Sequence, residues 1–388
     1  MLLRPRPAFA AVAFGFAAMM ATSALPTPLY VLYQHRDGFS ALTVTVIFAA
    51  YAVGVALSLF LVGHVSDWRG RRAVLVPALL VGAASSAVFL VWRDLPGLIV
   101  ARVINGLAVG AITATATAWL TELHDRPRRA QLVAIAANLG GIGFGPLISG
   151  AIAQWVGAPL TLPYALSIAA LLAAAALIAR APETRAEVEA RRYHPQRISV
   201  PARARTAYLS ASLAGMVAFA AFGLFTSLAP SFLGGQLGHH SPALAGATAF
   251  VVFAAAVAAQ ALTATAGART GMLLELAGLA AVVIAVWVPS LALFLAGGAA
   301  SGAGAGLLFK AAVAAVAAIS APERRAEALA GLFLAGYVGL AVPVIGLGTL
   351  TQALGDSVSL SVFAAVLAAA AVAAAPGLTR ARTPALSC

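Results

Sequence analysis

The chain has 388 residues, of which 62% are hydrophobic and only 9% charged, with a net charge of +12. No water-soluble fold of this size can hide so much apolar surface, so lipid has to be the solvent. Short alternating strands are absent from the pattern, which excludes a β-barrel and leaves an all-α integral membrane protein.

Apolar runs long enough to span recur along the chain, and about 30 residues per span and loop predicts roughly twelve helices. Arg4 and Arg6 precede a first run from Ala8 to Leu32. A cleavable signal peptide would begin similarly, but this run is long and its removal would leave an odd helix count. Pro26 and Pro28 predict a loosened outer half of this helix. A second span from Ala41 to Val62 ends at G-H-V-S-D-W-R-G-R-R, residues 63–72. Such a burst of charge cannot sit in lipid, where an ionised side chain costs roughly 3 kcal/mol or more at the bilayer centre. It predicts a tight turn at a membrane surface.

That turn resembles the signature loop of the major facilitator superfamily, G-x-x-x-D-x-x-G-R-R/K, between its second and third helices. Gly63, Asp67, Gly70, Arg71 and Arg72 fall on the pattern, while Trp68 stands where a basic residue is usual. The resemblance implies twelve transmembrane helices in two pseudo-symmetric six-helix halves: residues 1–180, a cytoplasmic linker 181–205, and residues 206–388. It also implies a substrate site at the interface between halves, and alternating access by rocking of the halves about it.

The third span runs from Ala73 to Val91, and the fourth, Leu95 to Leu120, contains Arg102. Buried arginine is expensive, so Arg102 should face a wet cavity or pair with backbone carbonyls of a broken neighbour. Arg102, Asn105 and Thr113 share one helical face. With Gly106 and Gly110 they resemble the family's fourth-helix motif, R-x-x-x-G-x-x-x-G. Glu122 ends this helix within reach of the signature arginines, and the resemblance makes that charge cluster a conformational latch. The fifth span carries Gly141, Gly145, Pro146 and Gly150, similar to the family's G-x-x-x-G-P-x-x-G-G, with Ser149 in place of one glycine. Glycine faces allow close helix approach and Pro146 a bend. In the superfamily this motif accompanies exporters that exchange substrate for protons.

After a sixth span, Leu160 to Ile178, residues 180–205 hold seven arginines and three glutamates, broken by Pro182, Pro195 and Pro201. Glu187 and Arg191 are spaced for a surface helix pair, and the stretch reads as a linker on an anionic leaflet rather than a nucleic-acid site. The second half echoes the first: Arg128-Arg129-Ala130-Gln131 returns 196 positions later as Arg324-Arg325-Ala326-Glu327. Gly267-Ala268-Arg269-Thr270-Gly271 takes the place of the signature turn without its acid.

With the amino terminus inside, 20 of the 24 basic residues fall on the cytoplasmic side, only Arg36 and Arg93 fall outside, and Arg102 and Lys310 lie within spans. That split predicts a multi-pass protein of the cell (inner) membrane with both termini cytoplasmic. Lys310 is the single lysine, deep in the tenth span. A desolvated lysine can release a proton where arginine cannot, so Lys310 is expected to titrate or hold an anionic group, with snorkelling from a helix end as the competing reading.

No acid lies in the middle of a span; Glu275 stands near the cytoplasmic start of the ninth. Arg102 and Lys310 make the interior positive, favouring an anionic, zwitterionic or neutral small-molecule substrate over cationic drugs. The helices that line the cavity in the family imply Thr22, Thr27, Tyr30, Phe222, Phe225 and Thr226 as its lining, and, less directly, Gln260. The expectation is a monomeric secondary transporter exporting small organic molecules by proton antiport, with proton-coupled uptake of an organic anion as the alternative. Paired carboxylates, a Cys/His cluster and a nucleotide-binding loop are all missing from the pattern, so neither an enzyme nor an ATP-driven pump is expected. No cofactor or metal is expected, since the one cysteine, Cys388, is the last residue.

Overall fold

The computed structural model describes residues 3–63, 65–185, 195, 196, 198, 200, 204–263 and 267–380. Glu187, Arg191 and most of the predicted linker lie outside the described residues, as does Cys388.

The first span is helix α1 (Pro5–Ala24), a 3-10 turn (Thr27–Leu29) and a short helix (Tyr30–Asp37). Pro26 and Pro28 supply no amide hydrogen, so the helical ladder cannot run through, and α1 ends ahead of them. The other long helices are α2 (Ala41–Leu61), α3 (Arg72–Val91), α4 (Leu95–Glu122), α5 (Pro127–Trp155), α6 (Leu162–Ile178), α7 (Arg205–Ser227), α8 (Pro242–Leu262), α9 (Ala268–Trp287), α10 (Leu291–Ile319), α11 (Arg325–Leu354) and α12 (Asp356–Arg380). Asp94 and Ser290 cap α4 and α10, each accepting from the amide three residues on. Among the described residues eleven helices are long and apolar enough to cross a membrane. The twelfth, α6, is apolar but has only 17 residues and measures about 25 Å, at the lower limit for a span.

Side chains such as Val53, Leu57, Leu172, Leu209, Leu273, Val342 and Val366 stand exposed on these helices, as a chain dissolved in lipid requires. Trp92, Trp155 and Trp287 stand exposed at the ends of α3, α5 and α9, suited to a membrane–water boundary.

Two compact units result. One comprises Met1–Phe39, Val46–Gln196 and Ser241–Phe250, the other Ser40–Thr45, Arg197–His240 and Val251–Cys388, so the division runs within α2 and α8. In the first unit α1 packs on α4, α5 and α6, and α3 on α4 and α6. In the second, α7 packs on α10, α11 and α12, and α9 on α10 and α12. Each unit thus repeats one helix-pairing scheme, matching the 196-residue echo in the sequence.

Close backbone approach tightens both. A Cβ on Gly54 of α2 would lie 2.1 Å from the Val103 carbonyl of α4, and one on Gly106 would lie 2.1 Å from the Tyr51 carbonyl. The corresponding seam between α8 and α10 closes at Gly302, whose Cβ would meet the Val252 carbonyl at 2.2 Å. Small residues let apolar helices attract through dispersion where lipid removes the hydrophobic drive.

Candidate functional site

In the first unit the break in α1 leaves carbonyls without helical partners. Arg102 of α4 uses one: its Nη1 donates to the Ser23 carbonyl at 2.6 Å, while Nη2 reaches the Phe48 carbonyl of α2 only at 3.5 Å. The guanidinium carbon lies 4.7 Å from the Tyr51 ring centroid and 5.5 Å from that of Phe48. Arg102 is 1% exposed, and no acid pairs with it among the described residues. Of the two predicted uses of Arg102, the structure gives the tie to a carbonyl of the broken neighbour.

Around it lie polar atoms with unused capacity. Arg102 Nε, both amide atoms of Asn105 and the Tyr30 hydroxyl have no hydrogen-bond partner among the described residues, although all are buried. Tyr30 is near enough to Arg102 to interact electrostatically, as is Tyr164. Tyr164 shares a 3.3 Å hydroxyl contact with Tyr33 and stacks on Phe89. Thr27 is buried on the 3-10 turn, and Thr22 is occupied with the Ala18 carbonyl and the Ser167 hydroxyl. Buried polar groups are normally satisfied, so these four open atoms, one of them on Arg102 itself, set the region apart.

The fifth-helix motif backs the same region. A Cβ on Gly145 would lie 2.0 Å from the Ala21 carbonyl of α1, and one on Gly141 2.7 Å from the Ala17 carbonyl. Gly150 makes a similar approach to Pro242 within the unit, and Pro146 sits inside the helix. A π-helical stretch, Ala136–Gly140, precedes the motif. Ser149 proves more than a small residue: its hydroxyl donates to the Leu25 carbonyl at 2.7 Å, satisfying another group freed by the α1 break. Sequence reading took it as a size match because its acceptor lies 124 residues away.

The signature turn forms an ion cluster. Arg71, buried, donates from Nη2 and Nε to the two oxygens of Glu122 at 2.9 and 3.3 Å, and from Nη1 to Asp67 and Ser66 at 2.8 Å each. Burial works against the charge on Arg71, but Glu122 and Asp67 outweigh it and hold the guanidinium above its usual range. Arg72 does not join: its side chain reaches the Ala179 carbonyl at 3.4 Å. A Cβ on Gly63 would meet the Leu59 carbonyl and the Gln196 side chain.

Sequence reading missed Glu183. Its two oxygens accept from the backbone amides of Arg71 and Arg72, each at 2.9 Å, so it caps the start of α3 from beyond the end of α6. Gly70 has φ of +92°, and a Cβ there would lie 2.7 Å from Glu183 Oε2, so glycine serves both the turn and the cap. Thr184 and Arg185 add bonds to Glu122. A Pro-Glu pair just after a span was the only signal available.

The second unit treats its predicted residues differently. Lys310 donates to the carbonyls of Gln260 and Thr263, at 2.9 and 2.8 Å, at the end of α8. Gln260 enters through its backbone. Phe222 stacks on Phe253 and Phe225 meets Phe294 edge-on; both are buried, as is Thr226. Phe222 and Phe225 take part in the packing between helices of the unit. Among the described residues no cluster of three or more His, Cys, Asp or Glu could hold a metal ion.

The Major Facilitator Superfamily model matches residues 8–264. The "Uncharacterized MFS-type transporter YfkF" of Bacillus subtilis (strain 168) is 32% identical over 151 residues, 37% of this chain and 38% of its own length. The arabinose-proton symporter of the same organism is 35% identical over 91 residues, 24% of this chain and 19% of its own length. The "Major facilitator-type transporter psiT2" of Psilocybe cyanescens is 36% identical over 104 residues, 26% of this chain and 20% of its own length. The matches thus span from about a fifth to under two fifths of these relatives. Among solved structures, the human organic anion transporter MFSD10 (TETRAN) superposes with a TM-score of 0.68 at 15% identity, covering 96% of this chain and 100% of that one. A bacterial homolog of the human lysosomal transporter Spinster gives 0.71 at 15% identity, covering 98% and 99%. At such identity the likeness shows the fold.

Proposed function

The chain belongs to the Major Facilitator Superfamily, and on that premise we propose that it is a secondary transporter exporting small organic molecules in exchange for protons, by alternating access. The observation that carries the substrate class is the charge at Arg102. It is buried, has no acidic partner among the described residues, and stands among open polar atoms of Asn105 and Tyr30. An anionic or zwitterionic group would neutralise the guanidinium and use the Asn105 amide and the Tyr30 hydroxyl. A cationic group would add repulsion to a desolvated charge, which is costly.

The direction of transport rests on the glycine and proline motif of α5, with the resemblance it carries. The Asp67–Arg71–Glu122–Glu183 cluster is read as the latch that holds one conformational state. Positive charge gathered in the even-numbered loops supports both termini in the cytoplasm of a cell inner membrane, and the transporter is taken to act as a monomer. Lys310, bound to two carbonyls, is read as the holder of the α8 end.

The test is purified protein in liposomes with an imposed pH gradient, screened with organic anions, zwitterions and cationic drugs. Export against proton flow of an anionic or zwitterionic compound is expected, together with ligand-dependent thermal stabilisation that vanishes in Arg102→Ala. Co-movement of substrate with protons would replace export by uptake. A cationic substrate whose binding survives Arg102→Ala would overturn the reading of the site.

A further inference from the structure

One ionisable group in the second unit has no part in that reading. Glu275 is the eighth residue of α9, about 10 Å along the helix from its start. It is 0% exposed. Ser301 of α10, also buried, donates its hydroxyl to Oε1 at 3.1 Å, and Oε2 has no hydrogen-bond partner among the described residues.

The seam that encloses it is closed by glycine. A Cβ on Gly278 would lie 2.3 Å from the Ser301 amide nitrogen, one on Gly304 2.4 Å from the amide nitrogen of Glu275, and ones on Gly271 and Gly297 2.9 Å from backbone nitrogens across the seam. The two backbones are in contact on either side of the carboxyl, which is 0% exposed.

The charges nearby do not serve either. The elements packed against α9 are α10 and α12. On α10 the titratable residue is Lys310, whose ammonium is engaged with the Gln260 and Thr263 carbonyls. On α12 they are Asp356 and Arg380, its first and last residues. The Asp356 end adjoins Trp287, which donates to Ser361, and Trp287 is about 18 Å along α9 from Glu275. On α9 itself Arg269 is exposed. No ion pair includes Glu275 among the described residues.

A carboxylate that has the Ser301 hydroxyl and the Ala305 backbone beside it but no cation, buried between two helices at membrane depth, is less favourable than the neutral acid. We propose that Glu275 is a proton-binding site: the carboxyl is protonated while α9 and α10 are closed, and it releases its proton only when the glycine seam opens to water. A structural role alone would be served by glutamine, which could accept from Ser301 without a titration. The site therefore gives the second unit a group whose ionisation is tied to helix separation. It deepens the proton-exchange reading and rests on it only for the use made of the proton.

The experiment is an infrared pH titration of the full chain in lipid nanodiscs with no substrate present. The expected result is a carbonyl-stretch band of a protonated carboxyl at neutral pH that is lost on alkaline titration, is missing in Glu275→Gln, and is displaced in Ser301→Ala. Hydrogen exchange of the backbone amides between Gly271 and Gly278 should rise over the same pH range, and Glu275→Gln should abolish that rise. If Glu275→Gln fails to fold, Glu275→Asp serves instead, and an unmoved band in that variant counts against the proposal. A wild-type band absent at neutral pH, a band unchanged in Glu275→Gln, or a band removed by sodium or potassium at constant pH would overturn it, the last in favour of a metal cation. Because no substrate is added, the result stands apart from the transport test. A uniporter could show the band, and an exchanger without it would carry its proton elsewhere.

Discussion

The α2–α4 seam offers the sharpest test of how packing supports the Arg102 site. In Gly106→Ala the new methyl would stand 2.1 Å from the Tyr51 carbonyl, 2.8 Å from the Val55 nitrogen and 3.0 Å from the Gly54 Cα. All three are backbone atoms, so no side-chain rotation relieves the clash. Restoring an ordinary contact requires the helices to part by about 1.3 Å. Overpacking of this kind costs about 1–3 kcal/mol, while alanine recovers up to ~1 kcal/mol of helix propensity over glycine. The expected net loss is about 1–2 kcal/mol, read as a lower melting temperature by tryptophan fluorescence. Gly54→Ala should behave alike, since its methyl would meet the Val103 carbonyl at 2.1 Å. Once one methyl has opened the seam the second enters space already made. The double variant should therefore lose less than the sum, with a coupling of about 0.5 kcal/mol or more. The same separation carries Tyr51 from 4.7 Å towards the ~6 Å limit of a useful cation–π contact with Arg102. Ligand-induced stabilisation should fall along with the melting temperature. Unchanged melting in both single variants, or strict additivity in the double, would refute the argument from backbone contact.

Glu122→Gln should destabilise the first unit by about 3 kcal/mol, because Arg71 is then left buried with only the part-exposed Asp67 as counter-charge; chemical denaturation in lipid or detergent checks it, and little salt dependence is expected. Gly70→Ala should cost about 1–3 kcal/mol through its φ of +92° and its approach to Glu183. Glu183→Gln in the same background should recover none of that backbone strain. Lys310→Met should leave the Gln260 and Thr263 carbonyls without their donor, so hydrogen exchange at the end of α8 should quicken, whereas Lys310→Arg should protect it. Normal pH-dependent transport in Lys310→Arg would dismiss a proton role for that lysine.

Much of the architecture was legible because it follows from the solvent. Apolar runs long enough for a bilayer and arginines confined to alternate loops dictate multiple spans, and α6 was foreseen despite its 17 residues. The pairing of Asp67, Arg71 and Glu122 was also legible, since charges at two neighbouring helix ends have few other partners. What could not be read were contacts whose second member is backbone or is remote in sequence. Lys310 binds carbonyls, which leave no trace in a sequence. Glu183 reaches the amides of Arg71 and Arg72 across more than a hundred residues. Phe222 and Phe225 were placed by the helix they occupy, but which face is covered depends on Phe253 and Phe294. The position of Glu275 in the first half of the ninth span was legible, but its burial was not, because burial belongs to the α9–α10 pair and its glycines rather than to either helix alone.

The two units solve one mechanical problem with different chemistry. Each must fix a helix end at the turn between its second and third long helices, the start of α3 in the first unit and the end of α8 in the second. The first does so with Arg71 paired to Asp67 and Glu122, partly open to solvent, and with Glu183 accepting from two backbone amides. The second does so with one ammonium on two carbonyls. An ion network has alternatives: each acid or base can exchange partners at modest cost as helices shift. A single cation on neutral carbonyls has none, and losing it exposes both acceptors. On the proposed latch reading, the first unit is the one suited to switching between states at this level. The second can couple its changes to protonation only through a group such as Glu275, whose ionised form the closed seam does not accommodate. If that division holds, neutralising Glu122 should alter the balance between conformational states, measured by spin-label distances within the first unit, at every pH. Neutralising Glu275 should instead remove the pH dependence of the second unit and leave its resting state in place.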